Sequence, residues 1–164
     1  MSESESNHTN APTLNPVPLY LEDYTADFEM TGGKYLVHEE EVLEFGQRFD
    51  PQPFHTDPVA AANGPFGGLI APGCLTFSIR NALYNQLSAR PVLIAGLGLE
   101  RMDLPNPVRP GDTLSIRISV VESRRSKSKP DTGIVTMQQA VENQDGKTVL
   151  SMTSKMIVRA RASA

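Results

Sequence analysis

An aspartate and a histidine stand five residues apart in Asp50-Pro51-Gln52-Pro53-Phe54-His55. A carboxylate and an imidazole brought to one place can share a water and move its protons, which is general acid–base chemistry. Positions five apart do not share a helix face, because faces repeat at three and four residues. Pro51 and Pro53 also forbid a continuous helix through the stretch. The spacing therefore predicts a stiff loop holding an acid beside a base. Alone, the stretch admits three readings: an acid–base pair, a metal site around His55-Thr56-Asp57, or a structural loop tied down by the ring. No spaced His or Cys partners support the metal reading. Asp57, before Pro58, reads as a helix N-cap followed by a proline at the first helical position.

Other elements must hold that loop in place. Residues 1 to 18 are polar and acidic with three prolines, Pro12, Pro16 and Pro18, and read as a disordered tail with little to bury. Lys34-Tyr35-Leu36-Val37 reads as a short strand after a Gly32-Gly33 break. A helix start follows, with His38 at the N-cap, Glu41 three residues on and Val37 and Val42 as a hydrophobic staple. Val42, Phe45 or Gly46, and Phe49 give its stripe, and the Asp50-Pro51 junction ends it. Val59 to Ala62 forms a short helix closed by Asn63-Gly64. From Gly73 to about Gln86 the chain is helical and apolar over most of its girth, through Leu75, Ile79, Leu83 and Leu87 widened by Cys74, Phe77 and Tyr84. Such a helix is a buried one, and Cys74 reads as part of its packing. After Pro91 the period changes to two. Val92–Met102, Leu114–Val120, Gly133–Val141 and Leu150–Val158 are strands, with Asp145-Gly146 a hairpin turn. Early helices and late antiparallel strands make an α+β pattern, a sheet wrapped around one buried helix.

A chain of 164 residues is most simply one domain, here residues 19–164. At 39% hydrophobic it has a core, but no apolar run approaches the ~20 residues of a spanning helix, so no membrane partner is expected. The formal charge of -4 argues against nucleic acid as a general partner. One cysteine permits no intrachain disulfide, and the start lacks a signal-peptide pattern. Both point to a cytoplasmic setting.

Three stretches carry a resemblance. Asp50 to Pro58, then Phe66-Gly67-Gly68-Leu69-Ile70-Ala71-Pro72-Gly73, then Pro107-Val108-Arg109-Pro110-Gly111-Asp112-Thr113-Leu114 resemble the MaoC-like dehydratases, which include the R-specific enoyl-CoA hydratases. The resemblance covers roughly residues 20 to 160. It implies a hotdog fold, a five-stranded antiparallel sheet around a central helix at about 73 to 87. It also implies a homodimer or higher homo-oligomer with an acyl-CoA tunnel at the subunit interface. The family's catalytic pair falls on Asp50 and His55, and its oxyanion donor on the backbone N–H of Gly73. A supporting serine of the family aligns with Asn81, which also donates hydrogen bonds. The residue before the helix glycine, often His or Ser in the family, is Pro72 here.

The implied activity is reversible hydration of a trans-2-enoyl-CoA to an (R)-3-hydroxyacyl-CoA, or dehydration of a related 3-hydroxyacyl thioester, as in fatty acid metabolism. It needs no metal or redox cofactor, since CoA belongs to the substrate. The residues agree. Hydration needs a group to take a proton from water, another to protonate the α-carbon, and donors for the enolate-like oxygen. The free N–H groups of a buried helix N-terminus favour that developing charge, and a glycine admits the carbonyl closely. Two rivals share the fold, an acyl-CoA thioesterase and a domain that binds an acyl thioester without turning it over. The basic run Arg124 to Lys129 reads either as a contact for CoA phosphates or as a solvated hairpin tip.

Overall fold

The computed structural model describes residues 12–162. Its elements run β1 (Val17–Leu19), a 3-10 turn (Leu21–Asp23), β2 (Glu29–Leu36), α1 (Glu39–Phe49), α2 (Pro53–Thr56), α3 (Pro58–Ala62), α4 (Gly73–Asn85), β3 (Ala89–Pro91), β4 (Leu93–Asp103), β5 (Thr113–Arg125), β6 (Thr132–Glu142) and β7 (Thr148–Arg159). The five long strands form one antiparallel sheet in the order β2-β5-β6-β7-β4. The sheet curves around α4, the expected hotdog arrangement. Leu75, Ile79 and Leu83 of the helix are buried in one cluster with Ile116, Ile118, Met137 and Leu150 of the strands. Each such side chain contributes about 1.5–3 kcal/mol by leaving water. The alternating residues of β5 put Leu114, Ile116 and Ile118 inside and Ser115 and Arg117 outside.

Two expectations change. The strand before α1 begins at Glu29 and runs through Gly32-Gly33, which act as a bulge within β2 and not as a break. At Gly33 φ is +73°, and a Cβ there would lie 2.9 Å from Leu83 Cδ2 and 3.1 Å from the Leu83 carbonyl oxygen. Glycine lets β2 press directly onto the central helix. The expected tail to residue 18 is also only partly retained. Residues 1–11 lie outside the described residues. From Thr13 the chain is fastened to the end of α4: Thr13 Oγ1 donates to the Gln86 carbonyl at 2.5 Å, and β1 pairs in parallel with β3.

At the sheet edge, β4 carries Leu93, Ile94, Leu97, Leu99 and Met102, all exposed. Its pairing with β7 is interrupted three times. Among the described residues no helix is long and apolar enough to cross a membrane.

Candidate active site

The site starts where α1 stops. Glu39, Glu40 and Glu41 open this helix at its positive end. Glu41 forms no capping box; its Oε1 accepts from Tyr35 Oη at 2.5 Å, and His38 makes no side-chain cap. At the other end the Asp50 N–H donates to the Gly46 carbonyl at 2.9 Å, and Pro51 prevents another turn. The expected loop then contains a helix of one turn, α2, because Pro53 sits at its first position, where a missing N–H costs nothing. The reversal between α1 and α2 turns His55 back toward Asp50.

His55 Nε2 lies 3.5 Å from Asp50 Oδ2. The His55 side chain is 7% exposed and that of Asp50 37%, so the ring is buried and the carboxylate stands nearer water. His55 Nδ1 is 2.7 Å from the Ile70 carbonyl. That oxygen only accepts, so Nδ1 carries a proton and donates. In the neutral ring Nε2 is then the basic nitrogen, and it faces Asp50. The Ile70 N–H donates in return to the Phe54 carbonyl at 3.1 Å. Phe54 stacks edge-on against the ring at 4.5 Å and against Phe66 at 5.2 Å.

One residue that holds this geometry escaped the sequence reading as more than a stripe position. A Cβ at Gly46 would lie 2.8 Å from the His55 carbonyl oxygen and 3.1 Å from His55 Cβ. Gly46 is what allows α1 and α2 to touch. The signal was available, because a glycine inside a helix costs about 0.5–1 kcal/mol relative to alanine and calls for a reason.

The N-terminus of α4 completes the arrangement. Its N-cap is Pro72, which offers no capping side chain, so none satisfies the first N–H groups. Gly73 and His55 line one cavity of about 300 Å³, together with Phe54, Phe66, Thr76 and Leu104. The Ala71 N–H donates to the Val108 carbonyl at 2.8 Å, and Arg109 Nη2 donates to the Phe66 carbonyl at 2.5 Å. Asp112 shapes that segment: its carboxylate accepts from the Arg109 N–H at 2.8 Å and from Gln144 Nε2 at 2.9 Å. The three stretches singled out in the sequence therefore meet at one cavity. His55 and the open N–H groups of the α4 terminus line it, with Asp50 Oδ2 3.5 Å from the ring; a base, a carboxylate and such donors can together handle water next to a polarised carbonyl.

Other candidates fall elsewhere. Asn81 makes no contact with Asp50 in this chain. It is exposed two turns along α4, and its Oδ1 accepts from Arg80 Nη1 at 2.6 Å. Eight residues from Gly73, it has rotated about 80° off the Gly73 face at 3.6 residues per turn. Asp57 is the N-cap of α3, accepting from Val59 and Ala60 N–H groups at 2.9 and 3.0 Å. Cys74, read as packing, is exposed. Arg125 in the basic run pairs with Glu22 at 2.7 Å beside the β5–β6 hairpin.

Comparison with known proteins agrees with this architecture. Residues 20–144 match the family model described as a MaoC like domain. A MaoC-like dehydratase from Rhodospirillum rubrum is 38% identical, with a TM-score of 0.79 over 88% of this chain and 99% of that one. A UPF0336 protein of Streptomyces avermitilis is 31% identical over 77% of this chain and 86% of its own length. The unliganded R-hydratase from Pseudomonas aeruginosa, at 21% identity, shares the fold with a TM-score of 0.65 over 87% of this chain and 86% of that one. With its sheet wrapped on α4, its Asp50–His55 pair and a model match that spans most of its length, the chain belongs to the MaoC-like dehydratase domain family.

Proposed function

We propose that the protein hydrates a trans-2-enoyl thioester, as enoyl-CoA, to the (R)-3-hydroxyacyl thioester, and catalyses the reverse dehydration. The observation that carries this reading is the facing of His55 Nε2 and Asp50 Oδ2 across 3.5 Å. Both are acceptors in the neutral ring and the ionised acid, and one water can donate a proton to each. As the water oxygen bonds to the β-carbon, Nε2 takes a proton, and one is returned to the α-carbon through the same pair. The electron pair of the double bond moves toward the thioester carbonyl. The N–H of Gly73 and the dipole of α4 stabilise the charge on that oxygen. A cytoplasmic setting fits the single cysteine.

The test is an acyl-thioester panel followed by absorbance and mass spectrometry. Hydration consumes the enoyl absorbance, adds one water to the mass and releases no thiol. Thiol release would identify a thioesterase, and tight binding without turnover a non-catalytic acyl-thioester-binding domain; either result rejects the proposal.

We further propose that the unit is a homodimer joined along β4, whose exposed edge carries Leu97 at 51% and Leu99 at 50% exposure. An unpaired apolar edge strand is a liability unless something covers it. Leu97→Asp is expected to weaken the dimer by more than about ten-fold, since it would bury an unpaired charge. Light scattering across a dilution series checks this, and a monomeric parent protein would reject the dimer.

A further inference from the structure

A second cavity, of about 390 Å³, lies between α4 and the β6-β7-β4 side of the sheet. Phe77, Leu99, Met137, Met152 and Met156 make its walls largely apolar. Arg80 is set into them at 9% exposure. Its Nη1 donates to Asn81 Oδ1, its Nη2 to Gln139 Oε1, and its Cζ lies 4.9 Å from the centre of the Tyr84 ring. Its Nε has no partner. Gln139 is 1% exposed, and its Nε2 donates to Ser154 Oγ at 2.7 Å, which fixes its amide oxygen toward the guanidinium. All these partners are neutral. Among the described residues no carboxylate pairs with Arg80, and Lys155, the other cation lining the cavity, is already paired with Glu100.

A buried cation without a counter-ion is costly, and an apolar isostere is often at least as stable, so packing does not account for Arg80. Burial pushes its guanidinium down to about 10, which leaves it cationic at neutral pH. Its position is informative. Gly73, Phe77, Arg80 and Tyr84 follow one another at spacings of four, three and four, which places them on one face of α4. Arg80 is seven residues from Gly73, roughly 10 Å along the axis, and side chains on a helix lean toward its N-terminus. A short acyl chain laid along this face from Gly73 is long enough to reach the guanidinium, although the two cavities share no lining residue.

We propose that this cavity receives the acyl tail and that Arg80 binds a carboxylate at its far end, so that the substrate is the monothioester of a dicarboxylic acid. This rests on the thioester reading of the Gly73 site. The carboxylate supplies the missing counter-charge and takes up the guanidinium's remaining donor capacity, and the methionine-lined walls flank the methylenes between.

Calorimetric titration with adipyl-CoA and hexanoyl-CoA tests it. Both are saturated and unreactive toward hydration, are of equal length, and differ only in the terminal carboxylate. The protein is expected to bind adipyl-CoA about 10- to 100-fold more tightly, the range a buried charge-assisted hydrogen bond supports. Arg80→Met is expected to collapse that ratio to near one, with some loss of thermal stability because the buried Gln139 Oε1 loses its donor; Arg80→Gln, which keeps a donor, checks the same point with a polar side chain. Equal affinities in the parent protein, no binding of adipyl-CoA, or a ratio that survives both substitutions would overturn the proposal. The parent ratio decides even where a variant does not fold. Because binding is read without turnover, a chain that hydrates 2-hexenoyl-CoA but shows no adipyl preference loses only this inference. A chain that prefers adipyl-CoA but hydrates no enoyl thioester loses only the reaction.

Discussion

His55→Ala is expected to slow hydration of crotonyl-CoA by about 10²- to 10⁴-fold, the contribution of a positioned acid–base group. The loss should fall chiefly on kcat, because the other residues that line the cavity with His55 are unchanged. Asp50→Asn should cause a loss in the same range, since the amide keeps the shape of the carboxylate but no longer accepts a proton from water. His55→Ala has a second effect. It leaves the buried Ile70 carbonyl without the donor now 2.7 Å away, at a cost of about 1–3 kcal/mol in stability. His55→Asn separates the two, because its amide nitrogen stands near the place of Nδ1 while nothing replaces Nε2. Its activity should be as low as that of the alanine variant, with most of the stability restored. Hydration at the parent rate by both His55→Ala and Asp50→Asn would remove the pair from the mechanism.

Gly46→Ala should be nearly as damaging to activity, although it touches no reacting atom. The new Cβ would stand 2.8 Å from the His55 carbonyl oxygen and 3.1 Å from His55 Cβ. The first of these is backbone and has no rotamer to escape into, so α1 and α2 must separate. Displacement of a catalytic group by ~1 Å can cost about 10²-fold, and that is the expected fall in kcat. Stability should move little by comparison. Alanine in place of a helical glycine gains about 0.5–1 kcal/mol, which offsets part of an overpacking cost of about 1–3 kcal/mol. Circular dichroism and thermal unfolding beside the rate assay test this division. An active Gly46→Ala enzyme would mean that the two helices slide freely and that the spacing of the pair is not set at their contact.

The fold was legible wherever one periodicity ran long enough. Leu75, Ile79 and Leu83 mark a buried helix in the sequence and are buried in the structure. Leu114, Ile116 and Ile118 mark a half-buried strand for the same reason. Legibility failed where backbone contact, not side-chain pattern, decides. Gly32-Gly33 reads as a break because glycines usually punctuate, yet here they bring β2 onto Leu83. Pro53 reads as a helix breaker until it is seen at a first helical position. Cys74 and Asn81 both lie on α4, but sequence spacing alone did not reveal that their side of the helix is left open. Arg80 was silent because a single cation on an apolar helix looks like an ordinary surface residue. Only the tertiary structure encloses it, with Gln139 arriving from 59 residues away.

The two hydrogen bonds that join α2 to residue 70 also couple the ring to the central helix. Ile70 holds the histidine ring through its carbonyl and the backbone of Phe54 through its N–H. Three residues later the same segment becomes the first turn of α4. Ring and helix terminus are thus mounted on one short strut. The separation between His55 Nε2, the base of the proposed reaction, and the Gly73 N–H, its proposed oxyanion donor, is thereby set by backbone hydrogen bonding and not by the side chains of the surrounding walls.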